Sequence, residues 1–130
     1  QFVQRMVAMK PKSRIKKAIA ANAGTYSFMD EMVPYPYGLG DVNYNLQGSF
    51  AKHLVVLLGE LDNNAQQGRL DQTEMAMEQG SNRLERGSNF FAASKTVAED
   101  NGFNFNWQIQ VVPDVGHEYK RMSEAAAKLL

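Results

Sequence analysis

The sequence predicts an α/β protein: three short parallel strands with flanking helices and one sheet edge left open. Three observations lead there. Residues 53–58 (HLVVLL) are short, apolar and β-branched in the middle, as in a strand buried on both faces. Residues 107–112 (WQIQVV) alternate Trp107, Ile109 and Val111 with Gln108 and Gln110, the two-residue period of a second strand. Between them residues 73–100 suit a long helical crossover, the connection that parallel strands require.

The other elements follow in chain order. Residues 1–9 read as a helix because Phe2, Val3, Met6 and Val7 fall on one stripe. Pro11 ends it, since proline lacks the amide that would continue the ladder. No capping residue precedes Gln1 and there is no initiating Met, so this helix is expected to begin upstream. The later part of residues 15–23 (IKKAIAANA) supplies the first strand, whose free edge invites pairing with another segment. Residues 24–41 mix Gly24, Pro34, Pro36, Gly38 and Gly40 with Tyr26, Phe28, Tyr35 and Tyr37. A loop this long is functional or disordered as a rule, and its aromatics oppose disorder. It is expected to fold over a pocket mouth. Residues 45–52 form a short helix, and residues 63–71 a polar loop. The helical stretch at 73–100 is expected to break at Gly80-Ser81 and Gly87-Ser88, and Gly102 ends it. A last helix starts between Tyr119 and Ser123 and turns Met122, Ala126, Leu129 and Leu130 inward.

Composition narrows the function classes. The chain has 130 residues, one domain's worth, with a formal net charge of zero. Nucleic-acid and membrane-surface partners both want a clustered basic excess. The densest basic stretch, Lys10, Lys12, Arg14, Lys16 and Lys17, reads as a solvated loop. Cysteine is absent, which removes disulfides, thiolate nucleophiles and Cys-based metal sites. No run approaches the roughly 18 to 20 apolar residues of a membrane span. Residues 1–10 lack the layout of a signal peptide.

Two residues stand where α/β proteins place chemistry, on loops at the carboxyl ends of strands. His117 follows the strand at 107–112 and a short turn, Pro113-Asp114-Val115-Gly116, and precedes the last helix. Asp62 follows the strand at 53–58 and Gly59. An imidazole can take a proton from a hydroxyl nucleophile, and a carboxylate can orient that imidazole and stabilise its cation. Glu60 and Asp114 are the competitors of Asp62 for this role. His53 opens its strand and so belongs at the opposite end of the sheet, in a structural or solvated role. The two histidines form no His-x-x-x-His pair or cluster, which speaks against a metal site. Gly38-Leu39-Gly40 lacks the strand that a dinucleotide fingerprint needs directly before it. None of Ser13, Ser27, Ser49, Ser81, Ser88, Ser94 and Ser123 sits in a G-x-S-x-G elbow.

In order and spacing these segments resemble the C-terminal half of an α/β-hydrolase, and more narrowly the esterase-like and polyhydroxyalkanoate-depolymerase-like serine hydrolases of bacteria. VVLLGELD is similar to the strand-then-acid segment of that superfamily, and VVPDVGHEYKRM to its strand-then-histidine segment. AIAANAGTYSF with YPYGLG resembles the strand after the nucleophile and its aromatic loop. The opening QFVQRM looks like the helix that follows the nucleophile elbow. The resemblance implies a Ser-Asp-His triad with Asp62 as acid and His117 as base, and no cofactor. It implies acyl-bond hydrolysis on a small-molecule or polyester substrate. Tyr26, Phe28, Tyr35 and Tyr37 become candidates for lining the substrate pocket. The serine and both oxyanion donors would sit on an N-terminal half, paired along the free edge near Ala18 to Ala23, so the 130 residues alone are expected to be inactive. The rival expectation is a non-catalytic, hydrolase-like binding module.

Overall fold

A computed structural model describes residues 1–10 and 12–130. Eight elements follow one another: α1 (Phe2–Met9), β1 (Lys17–Ala21), α2 (Leu46–Phe50), β2 (His53–Gly59), α3 (Glu74–Glu78), α4 (Arg83–Asp100), β3 (Gln108–Val112) and α5 (Tyr119–Ala127). The expected stop at Pro11 lies outside the described residues; α1 itself ends at Met9. The sheet is three-stranded, in the order β1-β2-β3, with both pairs parallel, as the sequence predicts. Ala21 lies opposite Leu57 and Gly59 opposite Val112, so all three strands end at one rim.

β2 is central and buried from Leu54 to Gly59, which is why its sequence runs apolar without alternation. Leu54, Val56 and Leu58 face the larger core with Val7, Ala20, Phe50, Phe90 and Trp107. Leu57 faces a smaller one with Val115 and Met122 of α5. The sheet is thus a filled layer between α1 and α4 on one side and α5 on the other. Phe90 of α4 centres the larger core. Its ring stacks on Tyr26 at 4.6 Å and touches Phe28 and Trp107 at 5.6 Å.

Three expectations are corrected by packing. The helical stretch breaks at Gly80-Ser81, but α4 runs unbroken through Gly87-Ser88. Gly87 is a close approach: a Cβ there would lie 2.3 Å from Leu58 Cδ2 and 2.9 Å from the Tyr26 hydroxyl. The glycine lets α4 lie against β2 and costs it no kink. The expected alternation of the last strand does not become burial. Trp107 is buried just ahead of β3, with its indole N–H donating to Ser49 O, whereas Ile109 and Val111 are exposed. β3 is an edge strand, and α4 lies mainly over β2. Leu130, expected to face inward, is exposed beyond the end of α5.

Gly102 follows α4 in the left-handed region (φ 67°), the C-terminal glycine that the sequence predicts. Among the described residues, β1 pairs with β2 alone, and its other edge is free. No helix among them is long and apolar enough to cross a membrane.

Candidate active site

The parallel register brings the β2 and β3 exits together at one rim. After β2, Glu60 N–H donates to Val112 O and Leu61 N–H to Val115 O. These two bonds fasten the loop after β2 to the loop after β3. Asp62 follows, fully buried, and its backbone carbonyl accepts from Leu84 N–H in the first turn of α4. His117 stands just before α5. Its Nδ1 lies 2.9 Å from Asp62 Oδ2, across 55 positions of sequence. With the carboxylate as acceptor, Nδ1 carries the proton and Nε2 is left as the acceptor. The His117 side chain is 37% exposed while its partner acid is sealed from water. Such a pair can take a proton from a neighbouring hydroxyl and give it back.

The His117 ring pairs with Asp62 rather than with either competing acid. Glu60 accepts the Asp114 N–H at 2.9 Å, and Asp114 itself sits at φ 56° in the turn. His53 is exposed at the start of β2, at the far end of the sheet. The Gly38 and Gly40 amides donate to Pro34 O and Val33 O within their own loop, so the GxG is a turn device. Lys10, Lys12, Arg14, Lys16 and Lys17 are all exposed, in keeping with a solvated stretch. Among the described residues no group of three or more His, Cys, Asp or Glu could hold a metal ion.

The four aromatic candidates do not gather at His117. Tyr26 is fully buried in the core, and burial pushes its phenol pKa up. It packs the body, where α4 brings Phe90 flat against it. Phe28 and Tyr37 line a cavity of about 140 Å³ with Val33 and Met75. The Tyr37 hydroxyl lies 3.0 Å from both Asp71 and Thr73. Hydrogen bonds from Thr73 hold the Asp71 pKa below the usual carboxylate value. Tyr35 is half-exposed under the Arg5 guanidinium. The groove that does contain His117, about 260 Å³, is lined by Ile19, Ala21, Asn22, Tyr119 and Met122.

Sequence reasoning missed Asn22, which ties all three strand exits together. Its backbone N–H donates to Leu57 O, its Oδ1 accepts from Gly59 N–H at 2.8 Å, and its Nδ2 donates to Gly116 O at 3.3 Å. Asn22 takes φ 41°, the left-handed conformation that asparagine tolerates best after glycine. That tolerance, at the end of an alanine-rich strand, was the available signal. We expect Asn22→Gly, which keeps the backbone conformation, to lower stability by about 1–3 kcal/mol through the orphaned Gly59 amide. Denaturant midpoints check this; a change within about 0.5 kcal/mol would make the side-chain bonds dispensable.

No protein-family model and no curated protein matches the sequence. Among solved structures, the chain is similar to poly(aspartic acid) hydrolase-1 from Sphingomonas sp. KT-1. The two are 38% identical with a TM-score of 0.94, over 98% of this chain and 50% of that one. It is also similar to LpqC, a poly(3-hydroxybutyrate) depolymerase from Bordetella parapertussis. There the identity is 30% and the TM-score 0.92, over 98% of this chain and 44% of that one. The chain spans about half the length of the solved structures it matches. Parallel strands, flanking helices and these two hydrolase neighbours agree with the resemblance read from the sequence: the chain has part of an α/β-hydrolase fold.

Proposed function

We propose that this chain supplies the acid, Asp62, and the general base, His117, of a serine hydrolase that cleaves carboxylic esters or related acyl bonds. The observation that carries this reading is the 2.9 Å contact between a buried carboxylate and a reachable imidazole at the carboxyl rim of a parallel sheet. The nucleophile is on polypeptide outside these 130 residues, since no serine here lies in a G-x-S-x-G elbow. That polypeptide is the N-terminal half of the hydrolase, and it pairs along the free edge of β1. The neighbours speak for the same bond class, one being a poly(aspartic acid) hydrolase and the other a polyester depolymerase.

In the assembled enzyme the serine hydroxyl attacks the substrate carbonyl as His117 Nε2 takes its proton. Asp62 holds the imidazole in the tautomer that leaves Nε2 free and stabilises the imidazolium. His117 then protonates the leaving group, and water releases the acid by the same proton path. Backbone amides on the missing half stabilise the oxyanion, so the chain by itself is inactive. The test is labelling of the complete hydrolase polypeptide by a fluorophosphonate probe. Modification of a serine outside these residues is expected. A folded, complete polypeptide that resists the probe would leave a non-catalytic binding module instead.

A further inference from the structure

Resting on that reading, we propose that Arg83 is a positioning residue for the acid–base pair, gripping Asp62 from behind and holding a loop against the His117 ring. Arg83 is the first residue of α4 and only 4% exposed. Its Nη1 lies 3.5 Å from Asp62 Oδ1, the oxygen that His117 does not use. That oxygen is buried and makes no hydrogen bond of its own, so the nearby cation is its compensation. A carboxylate swinging about its last torsion would lose the histidine. A guanidinium on one oxygen leaves the other facing Nδ1. The neighbouring residue strengthens the grip, because Leu84 N–H holds the Asp62 backbone carbonyl at 3.1 Å.

The same Nη1 donates to Gln67 O, in the loop between β2 and α3. Gln67 returns the contact to the histidine: its Oε1 accepts from the His117 backbone N–H at 3.2 Å. Gly68 comes next, at φ 62°, and faces both partners. A Cβ there would lie 2.7 Å from His117 Cδ2, 3.1 Å from Nε2 and 3.2 Å from Arg83 Nη2. The loop thus forms a wall along the imidazole, and Arg83 sets how close the wall stands. One buried cation fixes the acid and limits the travel of the base.

The experiment uses the complete hydrolase polypeptide with ¹⁵N-labelled histidine. In the wild type the Nδ1 proton of His117, held on Asp62, gives a resolved low-field NMR resonance. Arg83→Met is expected to broaden or erase that resonance and to slow fluorophosphonate labelling about 100-fold, as small misplacements of catalytic groups do. KM for a chromogenic ester stays unchanged. Arg83→Lys, which keeps the charge, recovers part of both readouts. Gly68→Ala pushes a methyl against the ring at an exposed position and is expected to disturb the same resonance; unfolding midpoints alongside separate this from the strain of its positive φ. An intact resonance and unchanged labelling in Arg83→Met would overturn the proposal. So would a normal resonance in Gly68→Ala if Arg83→Met does not fold. A wild type that resists the probe, yet shows the Arg83-dependent resonance, overturns the hydrolase reading and leaves the positioning role standing.

Discussion

Replacing His117 with alanine in the assembled hydrolase is expected to lower kcat by about a million-fold, the scale found when a triad base is removed. In the proposed mechanism the imidazole moves the proton in both halves of acyl transfer, with Nδ1 held on Asp62 and Nε2 left to accept. The fold is expected to stay intact. His117 is partly exposed, and its backbone is tied separately through the N–H to Gln67. Stopped-assay rates on a chromogenic ester, with unfolding midpoints alongside, check both halves of the prediction. A variant within tenfold of the wild-type rate would remove His117 from the mechanism.

Phe90→Ala carries the largest expected loss of stability, about 3–5 kcal/mol. Phe90 is fully buried and is the ring on which three segments meet. Tyr26 and Phe28 come from the loop after β1, Trp107 from the approach to β3, and Phe90 itself from α4. Truncation leaves a cavity bordered by three other aromatic rings, Tyr26, Phe28 and Trp107. Collapse is resisted on every side, which puts the loss at the upper end for a core aromatic. Chemical denaturation measures it. A loss below about 1 kcal/mol would show that the aromatic cluster repacks freely.

The meeting of Asp62 and His117 was legible in the sequence because a parallel strand announces itself. The unbroken apolar run of β2 locates its end, and whatever follows a parallel strand's end belongs to the functional rim. That logic alone set Asp62 and His117 at the same rim. The aromatic loop was less transparent. Its composition shows order but not direction, and Tyr26 points inward because Gly87 lets α4 approach it, a contact with no local sequence mark. The break expected at Gly87-Ser88 failed for the same reason: a glycine within a helix reads as a stop until its neighbour across the core is known. Arg83 gave no signal, since an arginine at a helix start looks solvated until Asp62 is seen behind it. The exposure of Ile109 and Val111 follows from strand order, which a period of two does not encode.

Asp62 on the imidazole, Gln67 on the His117 backbone, Arg83 on Asp62 and Asn22 on Gly59 and Gly116 all arise within one continuous stretch of polypeptide. In the proposed hydrolase, movement at the β1 edge would therefore carry acid and base together. Misalignment there would concentrate in a single coordinate, the gap between Nε2 and the serine hydroxyl of the proposed mechanism. If that mechanism holds, temperature would tune turnover through the gap more than through the Asp62–His117 contact itself.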